Sequence, residues 1–350
     1  MKRALVLGGG GARGSFQVGM LLELIGQQEL DFQIIRGVSV GALNAAFLAQ
    51  APVGATPKRS LANLKKQVDK LHNLWTNEIK GNFSVYAERA GGFAGLALGA
   101  DSIYSVKPLR ELIKKHLSLQ KLRSSGRDFA VGTVSLLSGG YEEWTPASAD
   151  FIEKLVASTA IPVIFPFVRT KTDVMVDGGA RNMTPLSAAF RARPDEIYVL
   201  MTSRLIPTSA GKLPDSAVQQ QTYQEWDDSW LGTKVSGIDV LKRTLDILVD
   251  EIYLDDLRGA LDWNQVAGRI DALTKAAKGV QLPAEVKKQV TALGKTVSAV
   301  NKRHVPIHVL APRIWFGTDN NSTVFDPALI ANAIEHGHDI GKDPNLWVVP

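Results

Sequence analysis

The run Gly37-Val38-Ser39-Val40-Gly41 constrains this chain more than any other stretch. It lies between FQIIR (32–36), which reads as a strand, and GALNAAFLAQA (41–51), which reads as a helix of small residues. A G-x-S-x-G sequence in that setting makes a strand-to-helix turn so tight that the positions of Gly37 and Gly41 tolerate no side chain. The central serine is then held in a strained conformation at a helix N-terminus with its hydroxyl presented outward. The pattern is short enough to occur by chance, so its weight comes from the flanking elements.

A second glycine run precedes it. RALVL (3–7) reads as a short buried strand, Gly8 to Gly11 as a loop, and Met20, Leu21, Leu24 and Ile25 as one face of a helix. Strand, glycine turn, helix, strand, tight turn, helix is the rhythm of a parallel sheet covered by helices. Gly9-x-Gly11-x-x-Gly14 carries two readings. As a dinucleotide fingerprint it requires an acidic residue at the end of the second strand. Asp31 lies before that strand instead, and the strand ends on Gly37 and Ser39. As an anion-stabilising loop, its N–H groups and the helix N-terminus would form an oxyanion hole for a tetrahedral intermediate. Glycine suits that role because a Cβ would block substrate from the backbone. Arg13 would then stabilise the loop or meet a phosphate headgroup.

Further along, helices are predicted near 61–80 and 106–118, a strand at 129–136 with a hairpin turn at Gly139-Gly140, and a helix at 149–159. Pro162 and Pro166 mark an irregular apolar loop. Val174 to Val176 and residues 196–203 read as strands, 305–312 as another, and 325–340 as a closing helix. The stretch 205–304 is helical, charged and periodic, and it carries Trp226, Trp230 and Trp263. Asp177-Gly178-Gly179 follows the strand at 174–176. Asp-Gly is a common turn dipeptide, but a carboxylate there also lies at the carboxyl edge of the sheet, where open α/β sheets bind ligands.

Composition narrows the field. A chain of 350 residues with 45% apolar and 21% charged residues has a sizeable core. The absence of cysteine removes disulfides, thiolate metal sites and cysteine nucleophiles. The net charge of +5 is too mild to require an anionic partner, and no nucleic-acid partner is expected. Lys2 and Arg3 precede only four apolar residues, too few for a signal-peptide core. No apolar run reaches the roughly 18 residues of a spanning helix. The expectation is a cytoplasmic protein or one peripheral to a membrane. No His or carboxylate cluster has metal-ligand spacing, so neither metal nor other cofactor is expected.

The GGGxRG loop, the G-x-S-x-G turn about 25 residues later and a DGG beyond them, in this order, resemble the patatin-like phospholipases. SIYSVKPLRELI (102–113), ASTAIPVIFPFV (157–168) and FDPALIANAIEHG (325–337) also look like family blocks. The resemblance covers residues 3–200 and roughly the last 50, and leaves out the helical stretch between. It implies a three-layer α/β/α domain with a largely parallel central sheet, spanning 1–350 as one unit with a helical insertion at about 205–304. It also implies a lipid acyl hydrolase of phospholipase A type, with Ser39 as nucleophile and Asp177 as base in a catalytic dyad. Gly9, Gly10, Gly11, Arg13 and Gly14 match its oxyanion loop, and Gly178 and Gly179 the base motif. Gly8 departs from the family, which often has aspartate there, and the local loop contacts should differ accordingly.

Other readings stay open. One is a lipid-binding or regulatory protein with little turnover. Another is a Ser-Asp-His triad that draws on His304, His308, His336 or His338, although the α/β-hydrolase fold usually places more strands before its nucleophile turn. Lipid or phospholipid is the expected substrate. Residues 91–100 and the tryptophan-bearing insertion are candidate lipid-facing surfaces, with buried packing as the plainer explanation of both.

Overall fold

Arg3–Leu7 (β1) and Ile34–Val38 (β2) carry almost no polar residues because helices cover them on both faces. The alternation along them sorts their side chains into two cores. Leu5, Leu7 and Ile35 enter one, while Ala4, Val6 and Ile34 enter the other. The computed structural model describes residues 1–205, 236–299, 304–314 and 322–348.

The remaining strands are Ala87–Glu88 (β3), Tyr104–Ser105 (β4), Asp128–Ser135 (β5), Tyr141–Trp144 (β6), Val168–Arg169 (β7), Val174–Asp177 (β8), Glu196–Leu200 (β9) and Ile307–Leu310 (β10). Strands β10, β9, β1, β2 and β5 lie side by side and all parallel. Strand β6 returns from β5 as an antiparallel hairpin, β8 also runs antiparallel to β5, and β7 pairs β8. Strands β3 and β4 form a separate ribbon.

The helices are Gly14–Leu21 (α1), Val40–Ala49 (α2), Pro57–Asn73 (α3), Gly92–Ala97 (α4), Lys107–His116 (α5), Leu119–Ser124 (α6), Phe151–Ala157 (α7), Leu186–Arg191 (α8), Gly237–Lys278 (α9), Ala284–Ala299 (α10) and Pro327–Lys342 (α11). One sheet face is covered by α1, α2, α3, α5, α7 and α11, through side chains such as Phe16, Ala45, Val68, Ile113, Leu155 and Ile330. The other is covered by α8 and α9, through Leu186, Ala189, Tyr253, Leu254 and Leu257. The architecture is therefore three layers, α/β/α, around a mixed and largely parallel sheet.

The element boundaries differ from expectation where capping or the site decides them. Helix α3 begins at Pro57, ahead of the predicted start near 61, because Thr56 accepts a hydrogen bond from the Arg59 N–H and Pro57 opens the first turn. Strand β2 runs two residues further than read, to Val38, because β5 supplies partners up to Gly132. Strand β9 stops at Leu200, and Thr202 turns toward the glycine loop instead.

Within residues 205–304, α9 is an integral layer along much of its length. Tyr253 is wholly buried, and the Asn264 side chain both accepts from the Val305 N–H and donates to its carbonyl, each at 2.8 Å. Of the candidate lipid-facing residues, Leu98 is 88% exposed and Trp263 is 52% exposed. Trp226 and Trp230 lie outside the described residues.

Candidate active site

One strand brings Ser39 and Asp177 together. Strand β5 is eight residues long, and β6 takes one of its edges. On the other edge β2 comes up in parallel as far as Val38, opposite Gly132, and β8 comes down antiparallel as far as Asp177, opposite Thr133. The two strands meet end to end. The aspartate therefore reaches the carboxyl edge of the parallel strands by a route the sequence did not reveal, on a strand pointing against them.

Ser39 sits at φ 55° and ψ −132°, a strained conformation for a residue with a side chain. The turn is held by close approach. A Cβ on Gly41 would lie 2.2 Å from the Leu7 carbonyl oxygen and 2.4 Å from that of Gly8, so α2 can start here only with glycine. Gly37 and Gly178 meet backbone at similar range. The Ser39 N–H donates to the Ser158 hydroxyl at 3.0 Å.

Asp177 is 4% exposed, and its Oδ1 accepts the Gly179 N–H at 2.7 Å. Burial pushes its carboxyl up to about 7, against the opposing influence of the neighbouring Ser39 hydroxyl and the Gly179 N–H.

The glycine loop backs directly onto the serine, since a Cβ on Gly9 would lie 2.9 Å from the Ser39 Cβ. Gly10 at φ 142° and Gly11 at φ 57° occupy backbone conformations that favour glycine. The loop is anchored through its carbonyls. Gly8 accepts the Gln17 side-chain amide at 2.8 Å, Gly9 accepts the hydroxyls of Thr202 and Tyr253, and Gly10 accepts the Arg13 N–H at 3.2 Å. A trans peptide points its N–H opposite to its carbonyl, so the N–H groups of Gly10 and Gly11 are turned away from these anchors. Among the described residues, neither donates to a protein acceptor.

Where the resembled family often has aspartate, the tyrosine ring fills the space. A Cβ on Gly8 would lie 2.3 Å from the Tyr253 hydroxyl. Arg13 is buried, with Nε 3.5 Å from the Gly10 carbonyl and Nη1 unpaired among the described residues. Gly14 is set back from the cavities, packed on Val40. Asp31, the acid a dinucleotide reading would have needed elsewhere, is ion-paired to Arg127 at 2.9 Å.

Two cavities open at Ser39. The first, about 830 Å³, is apolar and follows α2, where Val40, Leu43, Asn44 and Phe47 form one helical face. Leu71 and Phe325 face them, and His116 lies at the end farther along α2, 2.9 Å from the Glu78 carboxylate. The second, about 970 Å³, holds Gly10, Arg13, Asp177, Met183, Leu248 and Ile252. Among the described residues, only Gly11, Ser39 and Ile161 line both. The arrangement can attack a carbonyl at the junction, with an apolar chain on one side and a polar leaving group on the other.

The four histidines of the triad alternative lie elsewhere. His308 reaches Glu196 at 2.8 Å, His336 accepts the Arg313 N–H at 3.1 Å, His338 faces Glu23 at 3.2 Å, and His304 packs beside Gly268. None of them lines either cavity.

Sequence reasoning missed Thr202, Tyr253 and Asp256. The Asp256 carboxylate accepts the N–H groups of Met183, at 2.7 Å, and Thr184, at 3.2 Å, and burial raises it to about 6. No local pattern marks Tyr253 or Asp256, because their partners are more than fifty positions away. Ser158 lies in the ASTAIP block, which carried a family signal but no assigned role. Among the described residues no three His, Asp or Glu side chains gather as a metal ion would need, and no helix is long and apolar enough to cross a membrane.

Against known proteins, no curated relative matches the chain. Among solved structures, VipD from Legionella pneumophila aligns at 14% identity over 97% of this chain and 66% of its own, with a TM-score of 0.36, too slight a likeness to argue from. This chain thus spans just under two thirds of that protein. The sequence profile described as patatin-like phospholipase matches residues 5–190, more than half of the length and the span that holds the glycine loop, Ser39 and Asp177. The chain belongs to the patatin-like phospholipase family.

Proposed function

We propose that this protein is a serine hydrolase of lipid acyl esters, of phospholipase A type, working through Ser39 and Asp177. The observation that carries this reading is the position of Ser39 at the only junction of an apolar cavity and a cavity holding a buried carboxylate, among the cavities described above. An ordinary aspartate is a feeble base for a hydroxyl, whereas one held near 7 is matched to neutral solution.

In the first step Asp177 accepts the Ser39 proton as Oγ attacks the ester carbonyl. The N–H groups of Gly10 and Gly11 stabilise the oxyanion, and no reorganisation is needed because the loop is already anchored. The tetrahedral intermediate collapses, Asp177 protonates the departing alcohol, and an acyl-Ser39 remains. Asp177 then takes a proton from water, which attacks the acyl group, and the free fatty acid leaves as Ser39 regains its proton. Arg13 places positive charge on the leaving-group side, which suits a phosphate-bearing alcohol.

From Ser39 to Phe47 the first cavity follows α2 for eight residues, roughly 12 Å at the helical rise. An extended chain of carbon–carbon bonds near 1.5 Å covers that length in about ten carbons. Lipid reaches the site from a membrane surface that the protein meets peripherally.

The test is fatty-acid release from phosphatidylcholine vesicles and a panel of acyl esters by the parent protein, Ser39→Ala and Asp177→Asn. Both variants should lose release while remaining folded. Vesicle binding by the parent without any release would instead favour a lipid-binding role.

A further inference from the structure

We propose that Tyr253 of the inserted helix α9, with Thr202 at the end of β9, is a positioning residue for the oxyanion loop. The proposal rests on the acyl-hydrolase reading above and extends it to residues outside the span matched by the family profile. Both hydroxyls donate to one acceptor, the Gly9 carbonyl, and they also lie 3.2 Å from each other. Tyr253 is wholly buried, and its phenol is held above its usual range chiefly by burial, so it stays a neutral donor.

The consequence follows from peptide planarity. Rotating the Gly9–Gly10 peptide would re-aim the Gly10 N–H, and glycine on both sides makes that rotation sterically easy. With its carbonyl fixed from behind by two hydroxyls, the peptide cannot rotate without leaving a buried oxygen unsatisfied. The donors are thereby preorganised, which is what stabilisation of a developing charge requires.

Little more than two turns of α9 do more than this. Leu248, Val249 and Ile252 line the cavity that Asp177 shares with Arg13, Tyr253 holds the glycine loop, and Asp256 holds the backbone after Asp177 through Met183 and Thr184. Tyr253 and Asp256 are three residues apart, hence on one helix face. The inserted helix therefore braces both halves of the site while it forms a wall of it.

The experiment compares Tyr253→Phe, Thr202→Val, their double variant and Thr202→Ser with the parent and Ser39→Ala. Turnover and KM on a soluble medium-chain ester are measured alongside melting temperature. Each hydroxyl deletion should lower kcat about tenfold and the double about a hundredfold, with KM within a few-fold of the parent. Thr202→Ser should recover most of the turnover lost in Thr202→Val. A double variant with parent-like kcat, when Ser39→Ala is inactive, overturns the clamp and leaves the hydrolase reading standing. Activity retained by Ser39→Ala overturns the hydrolase reading itself, and the clamp with it. If Tyr253→Phe fails to fold, Thr202→Val and Thr202→Ser decide alone, and equal kcat in the two refutes the proposal.

Discussion

Val38 and Asp177 pair with consecutive residues of a single strand, Gly132 and Thr133, the first from a parallel neighbour and the second from an antiparallel one. Ser39 and the carboxylate are thus set at the abutting ends of two strands, where backbone hydrogen bonds fix their separation. A site built on strand ends moves less than one built on loop tips.

The pH dependence follows from the buried carboxylate. Asp177 must be ionised to accept a proton, and burial raises its carboxyl to about 7. We expect kcat/KM for ester hydrolysis to rise with pH through a midpoint near 7 and then level off. A profile flat from pH 5 to about 8 would remove Asp177 as the base.

Stability should show the same group with the opposite sign. The folded carboxyl lies above its ordinary value of 3.8, so the folded protein holds that proton more tightly than the unfolded chain. The stability this contributes is complete below about pH 4 and is lost as pH rises through about 7. Asp177→Asn cannot lose it. The variant should melt above the parent near pH 8, with a smaller difference near pH 4, as read by differential scanning calorimetry.

The turn before α2 permits a sharp structural prediction. A Cβ at Gly41 would lie within 2.2 Å of a backbone carbonyl of β1, and neither side can yield without separating helix from sheet. Gly41→Ala should lower the melting temperature by many degrees or prevent folding. Ser39→Ala, which only removes a hydroxyl, should leave it nearly unchanged. Circular dichroism melts of the two variants settle the contrast.

Much of this was legible in the sequence. The order of β1, β2 and α2, the hairpin after β5 and the closing helix follow from local periodicity and turn chemistry, and Gly37, Ser39 and Gly41 announce themselves because their spacing is set by covalent geometry. The resemblance to a family placed Asp177 in the site. Its route there was not legible, because β8 is short and nothing within it reports that β5 has edge positions left beyond Val38. Tyr253, Thr202 and Asp256 were hidden for a related reason. Their contacts cross long sequence separations, and a single such residue imposes no period on its surroundings.

The apolar cavity makes chain length a readable property. Leu43 is one turn beyond Ser39 on the face of α2 that lines it. Leu43→Trp should block that passage, lowering hydrolysis of decanoyl and longer esters at least tenfold and sparing acetyl and butyryl esters. Equal losses across the series would place the acyl chain elsewhere.

The central claim is that Asp177 activates Ser39 for attack on an acyl carbon, and labelling by an alkyl fluorophosphonate tests it most directly. Peptide mapping by mass spectrometry should find a single stoichiometric adduct on Ser39 in the parent protein. The labelling rate should fall by about two decades or more in Asp177→Asn, even though Ser39 itself is intact. An adduct on another residue, or parent-like labelling of Ser39 in Asp177→Asn, would contradict the account.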